Sequence, residues 1–423
     1  MRDGTVWSQR KPVFDWLVWA QTGDRMFATF SFAVAALVLA ADAPSPGTAT
    51  PRIFLHDPSA LLRKKLHWRS DRKAEPAVTR LLDNADEALR SKPISIVDKE
   101  VVPPSGDKHD YLSLAPYAWP DPRKPNGLPY LIRDGEVNPE RDRIPDHRSL
   151  ARLCDLVETL GLGYFFTDDD KYAAHAARLL HAFFVDRETR MNPNLRFAQG
   201  VRGKEDGRAA GIIDGACIPR MIDGVGLLAP SKAWTAADRQ AIDRWFSDYL
   251  AWLRESDLGR KEGRAGNNHG TWYDVQVASL QLATGKHEDA VETLSFARKR
   301  RIGRQIDPDG RQGEEMRRTR PWHYAAYNLE AMALLANLGD RAGVDLWRYQ
   351  TADRRSIRQA FAWLLPFALG AKPWAEHDLG GMKPDELLPA LREAASSLKD
   401  AELAAVVAKL GPQRVDRAWL FAE

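Results

Sequence analysis

The chain has 423 residues, of which 44% are hydrophobic and 28% are charged. These fractions are ordinary for a soluble globular protein and argue against disorder, except near the start of the chain. The 61 Lys and Arg against 58 Asp and Glu leave a net charge of +3. This balance argues against a nucleic-acid partner, because nucleic-acid binding usually requires a clustered basic face.

The first fifty residues contain a short apolar segment, 26–40, that is followed by an Ala-x-Ala sequence ending at Ala43. Such a segment is typical of a secretory signal peptide, since a membrane-spanning helix needs about 20 apolar residues. We therefore expect residues 1–50 to form a signal peptide, N-terminal extension and linker, with no stable membrane span after signal removal and a periplasmic or secreted protein. An uncleaved membrane anchor is the alternative, and the true start is either Met1 or Met26.

From His147 onward, apolar residues recur with the period of about 3.6 that indicates amphipathic helices. Thr235 and Asp238 resemble a capping box, and Gly285 fits a C-terminal stop. The predicted helices are 147–166, 171–184, one that begins after Thr235, 271–284, 287–299, 322–338, 353–369 and 384–398.

Successive antiparallel helices must bury their apolar faces on neighbouring pairs. We therefore predict an all-α protein, an incomplete (α/α) toroid or barrel built from antiparallel helix hairpins, as a single domain over residues 51–423. A plain bundle and an open solenoid are alternatives, and the lack of a repeat of fixed length argues against the solenoid. Two long irregular segments, 102–145 and 190–220, are expected to wall a cleft.

The two cysteines, Cys154 and Cys217, stand alone, without a CxxC motif or nearby His. Free thiols are the favoured interpretation, with a single disulfide as the alternative. The ten histidines are scattered and form no HExxH motif. We therefore predict neither a metal site nor a cofactor.

Aromatic residues are spaced through a proline-rich segment at 109–122, which includes Tyr111, Tyr117 and Trp119. Aromatic rings offer flat faces to sugar rings, and the tyrosine hydroxyls offer polar contacts. A packed structural cover explains the same residues equally well.

A second candidate segment is Asn267-Asn268-His269, which directly precedes a predicted helix. Asn side chains can hydrogen-bond a carboxylate, and His can transfer protons near neutral pH. Because Asn is also a common helix N-cap, a purely structural role is the alternative.

The third candidate segment, 315–327, brings several polar side chains to the start of another predicted helix. They are Arg317, Arg318, Arg320, His323, Tyr324 and Tyr327. The planar guanidinium of Arg suits carboxylate binding. A solvated basic turn followed by core aromatics is the alternative.

Several segments, in order along the chain, resemble the signature segments of the alginate lyase superfamily. They are 108–122, 127–130, 134–139, 191–195, 211–214, 267–269 and 318–324. The resemblance implies an α/α toroid and β-elimination on a uronate-containing polymer, with alginate the default. Gly270-Thr271 after His269 and Ala118 before Trp119 depart from the family pattern, and they affect the substrate more than the reaction.

The resemblance implies that Asn268, His269 and Arg318 neutralise the substrate carboxylate while negative charge develops. Tyr324 is predicted as base and acid where H5 and O4 share a face, as in mannuronate. For guluronate, His269 would take the proton and Tyr324 would give one. The free pKa of Tyr is about 10, so Arg318 and Arg320 would need to lower it. Tyr327 is the rival to Tyr324.

An acidic polysaccharide is the expected partner, and the oligomeric state stays open. The predicted substrate-binding residues are Tyr111, Tyr117, Trp119, Asn194, Asn267, Arg320, His323 and Tyr327. One alternative is a glycoside hydrolase on the same toroid, with paired carboxylates drawn from Asp274, Glu314 and Glu315. The other is a non-catalytic protein that binds acidic glycans.

Overall fold

The structure, a computed structural model, describes residues 51–72 and 74–411. The predicted signal segment, its cleavage site and most of the linker lie outside these residues. The helices in chain order are α1 (Pro58–His67), α2 (Glu75–Ala88), α3 (Asp146–Thr167), α4 (Asp170–Leu180), α5 (Ile218–Leu227), α6 (Ala236–Glu255), α7 (Asp257–Gly263), α8 (Asn268–Ala283), α9 (His287–Ala297), α10 (Gly303–Gln305), α11 (Gly313–Met316), α12 (Pro321–Ala342), α13 (Ile357–Ala368), α14 (Leu388–Leu398) and α15 (Ala401–Leu410). No helix of this described part is long and apolar enough to cross a membrane.

Periodicity located the long helices correctly, with shifts at their ends. The capping box of α6 is confirmed, since the Thr235 and Asp238 side chains each accept from the other's backbone N–H. Gly285 follows α8 with a positive φ of 75°, which is the left-handed conformation of a C-terminal stop. The sequence prediction missed α1, α2, α5, α7 and α15.

The helices form an incomplete α/α toroid, as predicted. An inner row runs through α3, α5, α8 and α12, each packed on the next. The outer helices α4, α9 and α14 pack on α3, α8 and α12 respectively, while α6 packs on α8. The inner helices are buried on nearly all sides; α8 is exposed at few positions. A helix buried all round belongs to the interior of such an array.

Two glycines allow the inner helices α3 and α5 to approach closely. A Cβ added to Gly161 would lie 2.4 Å from the carbonyl oxygen of Gly224. A Cβ added to Gly224 would in turn lie 2.8 Å from the Cα of Glu158. Any larger residue at either position therefore pushes the two helices apart.

The first described residues join opposite parts of the inner row. The Asp223 side chain on α5 accepts from the backbone N–H groups of Phe54 and Leu55, at 2.8 and 3.0 Å. The carbonyl of Leu55 accepts from the Asn337 side chain on α12 at 2.9 Å. This buried segment therefore ties α5 to α12.

One pair of short strands joins the two irregular segments, and a second pair lies within the first segment. The strand β1 (Leu112–Leu114) runs parallel to β4 (Phe197–Gly200), and β2 (Ala118–Trp119) is antiparallel to β3 (Leu131–Ile132). The buried Lys99 Nζ donates to Asp146 Oδ2 at 2.8 Å, which also accepts from the Leu112 N–H. The segments are thus anchored at the start of α3. Cys154 and Cys217 are free thiols, as favoured from the sequence.

We expect Gly161→Ala to destabilise the fold by about 1–3 kcal/mol, because the added methyl overpacks the contact between α3 and α5. The measurement is denaturant unfolding followed by circular dichroism. Gly266→Ala is the control, since a Cβ there meets nothing within 4 Å. Equal unfolding midpoints for the wild type and Gly161→Ala would contradict the close packing.

Candidate active site

Two inner helices begin next to one another beneath the irregular segments. Helix α8 starts at Asn268, and α12 starts at Pro321 shortly after α11. The Glu315 carboxylate on α11 joins them, accepting from the Asn268 backbone N–H at 2.6 Å and from its Nδ2 at 2.8 Å. Helix N-termini carry partial positive charge, and here carboxylates already complement it: Glu315 at the start of α8, and Asp378, which accepts from the Trp322 N–H at 2.9 Å, at the start of α12.

Asn268 is buried, and its hydrogen bonds to Glu315 fix its orientation. Asn267 occupies the N-cap position of α8, but its side chain makes no capping hydrogen bond. Its Oδ1 is buried and accepts no hydrogen bond. The N-cap alternative therefore explains neither side chain.

His269 is oriented by a buried carboxylate that the sequence prediction missed. Its Nδ1 lies 2.7 Å from Oε1 of Glu262, on the short helix α7. Because a carboxylate accepts hydrogen bonds, it holds the proton on Nδ1. The Nε2 of a neutral His269 then keeps its lone pair and can accept a proton.

Arg318 is held by Asp134 from the first irregular segment. Its Nε donates to Asp134 Oδ2 at 3.0 Å, and its Nη2 donates to Oδ1 at 2.5 Å. The guanidinium carbon lies 3.6 Å from the centroid of the Tyr324 ring, which is a cation–π contact. The fork that was predicted to bind the substrate carboxylate is thus occupied by Asp134.

Tyr324 is nearly buried, and its hydroxyl lies 2.8 Å from the hydroxyl of Tyr117. Burial and this hydrogen bond raise the pKa of Tyr324 well above its ordinary value, although Arg318 acts to lower it. The expectation that neighbouring arginines lower the pKa of Tyr324 is therefore not met, because burial and Tyr117 outweigh Arg318. The phenol is a proton donor at neutral pH.

A second carboxylate, Glu386, contacts two of the predicted substrate-binding residues, Arg320 and His323. Arg320 Nη2 donates to it at 3.3 Å, and His323 Nδ1 lies 3.3 Å away. The Tyr327 ring stacks on the His323 ring, with centroids 6.0 Å apart, and also contacts Trp272. These side chains continue the site along the first turns of α12.

The structure corrects one predicted substrate-binding residue, Tyr111, whereas Asn194 stays a prediction. Tyr111 is 0% exposed and donates to Asp214 Oδ2, so it supports the site from beneath and cannot contact a polymer. Asn194 is partly exposed; its side chain donates to Asp110 in the first irregular segment and accepts from the Arg196 N–H. Aromatic or amide character alone does not distinguish such support from binding.

Tyr117 and Trp119 are partly exposed. The Trp119 Nε1 donates to the Glu136 carbonyl at 2.9 Å, and the Arg133 guanidinium lies 5.4 Å from its ring centroid. One polar atom of Trp119 is thus already satisfied by its own segment. The ring remains available at the rim of the site.

Arg208 in the second irregular segment was also missed from the sequence. Its Nη2 donates to Gln199 Oε1 at 2.8 Å, and its Nε is buried without an acceptor. Within the described residues it forms no ion pair with a carboxylate. Its only sequence signal is its place between Gly207 and Gly211 in a glycine-rich segment.

The three carboxylates that a glycoside hydrolase could use, Asp274, Glu314 and Glu315, are already bound to other side chains. Asp274 is buried and accepts two hydrogen bonds from Arg301, at 2.7 and 3.0 Å. Glu315 is taken by Asn268, and the exposed Glu314 pairs with Arg317. A hydrolase needs two carboxyl groups facing each other across the bond, so this geometry disfavours that reaction. No group of three or more His, Cys, Asp or Glu in residues 51–72 and 74–411 is placed to hold a metal ion.

Comparisons with known proteins identify the family of the chain. A family model described as alginate lyase matches residues 95–374. The crystal structure of an alginate lyase from Bacteroides ovatus is 35% identical, with a TM-score of 0.83, over 88% of this chain and 99% of that one. No curated protein matches the chain.

More distant solved structures share the fold. Alginate lyase A1-III from Sphingomonas species A1 is 16% identical, with a TM-score of 0.54, over 90% of this chain and 96% of that one. A variant of A1-III complexed with a tetrasaccharide is 15% identical, with a TM-score of 0.57, over 90% and 97% of the two chains.

We expect Tyr324 to stay protonated up to pH about 10 or above, because burial and Tyr117 raise its pKa. The measurement is an ultraviolet titration of phenolate in the wild type and in Tyr324→Phe, whose difference isolates this residue. Tyr117→Phe should move the Tyr324 ionisation to lower pH, since it removes one of the causes. A Tyr324 phenolate that forms near pH 7 in the wild type would contradict this assignment.

Proposed function

The chain belongs to the alginate lyase family and is a polysaccharide lyase, and from this premise we propose that it cleaves a uronate-containing polymer, alginate first, by β-elimination. The main support for alginate as the substrate is the similarity to the Bacteroides ovatus alginate lyase over most of this chain and nearly all of that one. The site adds a histidine and a phenol for proton transfer, His269 and Tyr324, each oriented by a hydrogen bond.

We assign the departing O4 its proton from Tyr324, whose pKa is raised above its ordinary value by burial and by Tyr117. The C5 proton goes to one of two bases, depending on the uronate. Where H5 and O4 lie on opposite faces, His269 Nε2 takes it, with Glu262 stabilising the imidazolium that forms. Where they share a face, Tyr324 first gives its own proton to solvent, and the Arg318 cation over its ring favours the phenolate. The phenolate then takes the C5 proton and passes it to O4.

The remaining predicted residues have supporting roles in this proposal. Asn268 is oriented by Glu315, and the second hydrogen of its amide nitrogen is assigned to the substrate. Arg320 and His323 line the entry along α12, and Tyr117 and Trp119 offer ring surfaces to the sugar. Export to the periplasm or the medium, which the apolar segment 26–40 predicts, remains part of the proposal.

The test of the proposed function is a panel of purified polyuronates: mannuronate-rich and guluronate-rich alginate, and glucuronan. Elimination leaves a double bond conjugated to the carboxylate, so the product absorbs ultraviolet light, whereas hydrolysis leaves none. We expect absorbance and chain shortening together on alginate. Shortening without absorbance would indicate a hydrolase, and binding without shortening would indicate a glycan-binding protein.

We expect Tyr324→Phe to lower kcat by about 100-fold or more, the usual range for loss of a general acid–base, while oligouronate binding stays near that of the wild type. Initial rates of product absorbance and calorimetric binding measure the two quantities. Tyr327→Phe tests the rival assignment in parallel. Full turnover in Tyr324→Phe, or a larger loss in Tyr327→Phe, would transfer the role to Tyr327.

A further inference from the structure

Most arginines around the site have a carboxylate partner. Arg318 pairs with Asp134, Arg320 with Glu386, and Arg220 with Glu330. A cation whose charge is already compensated, and whose fork is already filled, stabilises an additional negative charge less effectively. The described residues therefore provide little free positive charge at these three positions, although the proposed substrate carries one carboxylate on every sugar.

Arg208 differs because its only side-chain partner is a neutral amide. Gln199 accepts from its Nη2 through Oε1, while Gln199 Nε2 donates to Asp214 Oδ1 at 2.8 Å. Asp214 also accepts from the hydroxyls of Tyr111 and Ser113, at 2.9 and 2.6 Å. This chain of hydrogen bonds fixes the Gln199 amide with its oxygen towards Arg208. It therefore holds the guanidinium in place without cancelling its charge.

Arg208 also lies beside both halves of the proposed site. The segment that directly follows it, Ala209–Gly215, packs against α7, which carries Glu262, and against α8, which begins with Asn268. The charges that act on Arg208 are those of Glu205, Asp214 and Glu262, with Arg318 opposing them, although none of these carboxylates forms an ion pair with it among the described residues. Burial lowers the pKa of Arg208, yet the ordinary value for Arg is so high that the group remains charged.

We propose that Arg208 binds the carboxylate of the uronate unit that loses its C5 proton. This inference rests on the proposed function. During elimination the C5–H bond breaks, its electron pair forms the C4–C5 double bond, and the C4–O4 bond breaks as O4 takes the proton from Tyr324. In between, negative charge spreads into the carboxyl group. An uncompensated, preorganised cation stabilises that charge, as an oxyanion hole does.

The test compares an oligouronate with its methyl ester, which has the same sugars without the negative charge. Binding is measured by calorimetry in the Tyr324→Phe background, where turnover is suppressed. The unmodified Arg208 site should prefer the acid at least about tenfold, the value of a hydrogen bond to a charged group. Arg208→Met and Arg208→Gln should bind both ligands alike, and Arg208→Lys should keep part of the preference.

Activity provides the second readout, with Tyr324 intact. We expect Arg208→Met to lower kcat/KM by about 100-fold, as for loss of one oxyanion donor. Arg196→Met is the matched control, since Arg196 lies in the same segment, is exposed and contacts the Phe197 ring. Thermal unfolding of each variant identifies any that fail to fold, in which case the Arg208→Lys and Arg208→Gln pair decides.

Two results overturn different statements. If the wild type eliminates a polyuronate but the acid-over-ester preference survives in the neutral Arg208 variants, the role of Arg208 is wrong and the proposed function stands. If the wild type produces no unsaturated product from any polyuronate, the proposed function fails, and the inference fails with it.

Discussion

The bond between Asp134 and the start of α12 is the interaction on which the site depends. Asp134 accepts from Arg318 through both carboxylate oxygens, and from the N–H and hydroxyl of Thr319. The irregular segment 102–145 has only short strands and one short 3-10 helix, Pro139–Arg143, so this partly buried polar anchor supplements its few regular hydrogen bonds. This anchor holds the segment that carries Tyr117 against the helix that carries Tyr324.

The same bond changes what Arg318 can do. A guanidinium engaged by a carboxylate is a fixed structural element whose remaining influence is electrostatic, and here that influence falls on the Tyr324 ring. Because burial and Tyr117 outweigh it, the phenol keeps its proton at neutral pH. The arrangement favours donation to a leaving oxygen and makes the base role conditional on the substrate.

The sequence predicted the toroid because long amphipathic helices leave a period that can be read locally. It also placed two of the site segments at helix starts, and the structure agrees, since α8 begins at Asn268 and α12 begins at Pro321. It could not identify Asp134, whose partner Arg318 lies 184 residues away in the chain. Nor could it identify Glu262 and Arg208, whose partners His269 and Gln199 lie nearer in the chain but on different elements, so no helical spacing links them. Tyr111 was misassigned for the same physical reason: a ring that stacks on sugar and a ring that fills a core look alike in one sequence, and only burial separates them.

Gln199 indicates how the fold sustains an unpaired cation. Its φ of 51° places it in the left-handed region, which is uncommon for a residue other than Gly. Such a conformation persists only where surrounding contacts over-determine it. Here the Gln199 N–H donates to the Ser113 hydroxyl and its side chain donates to Asp214. The buried network therefore stabilises a strained backbone and, through it, the orientation of the amide at Arg208. The strained backbone and buried hydrogen bonds of Gln199 therefore orient the Arg208 guanidinium, which has no ion-pair partner among the described residues. A charged group held in place in this way is preorganised for an anionic substrate.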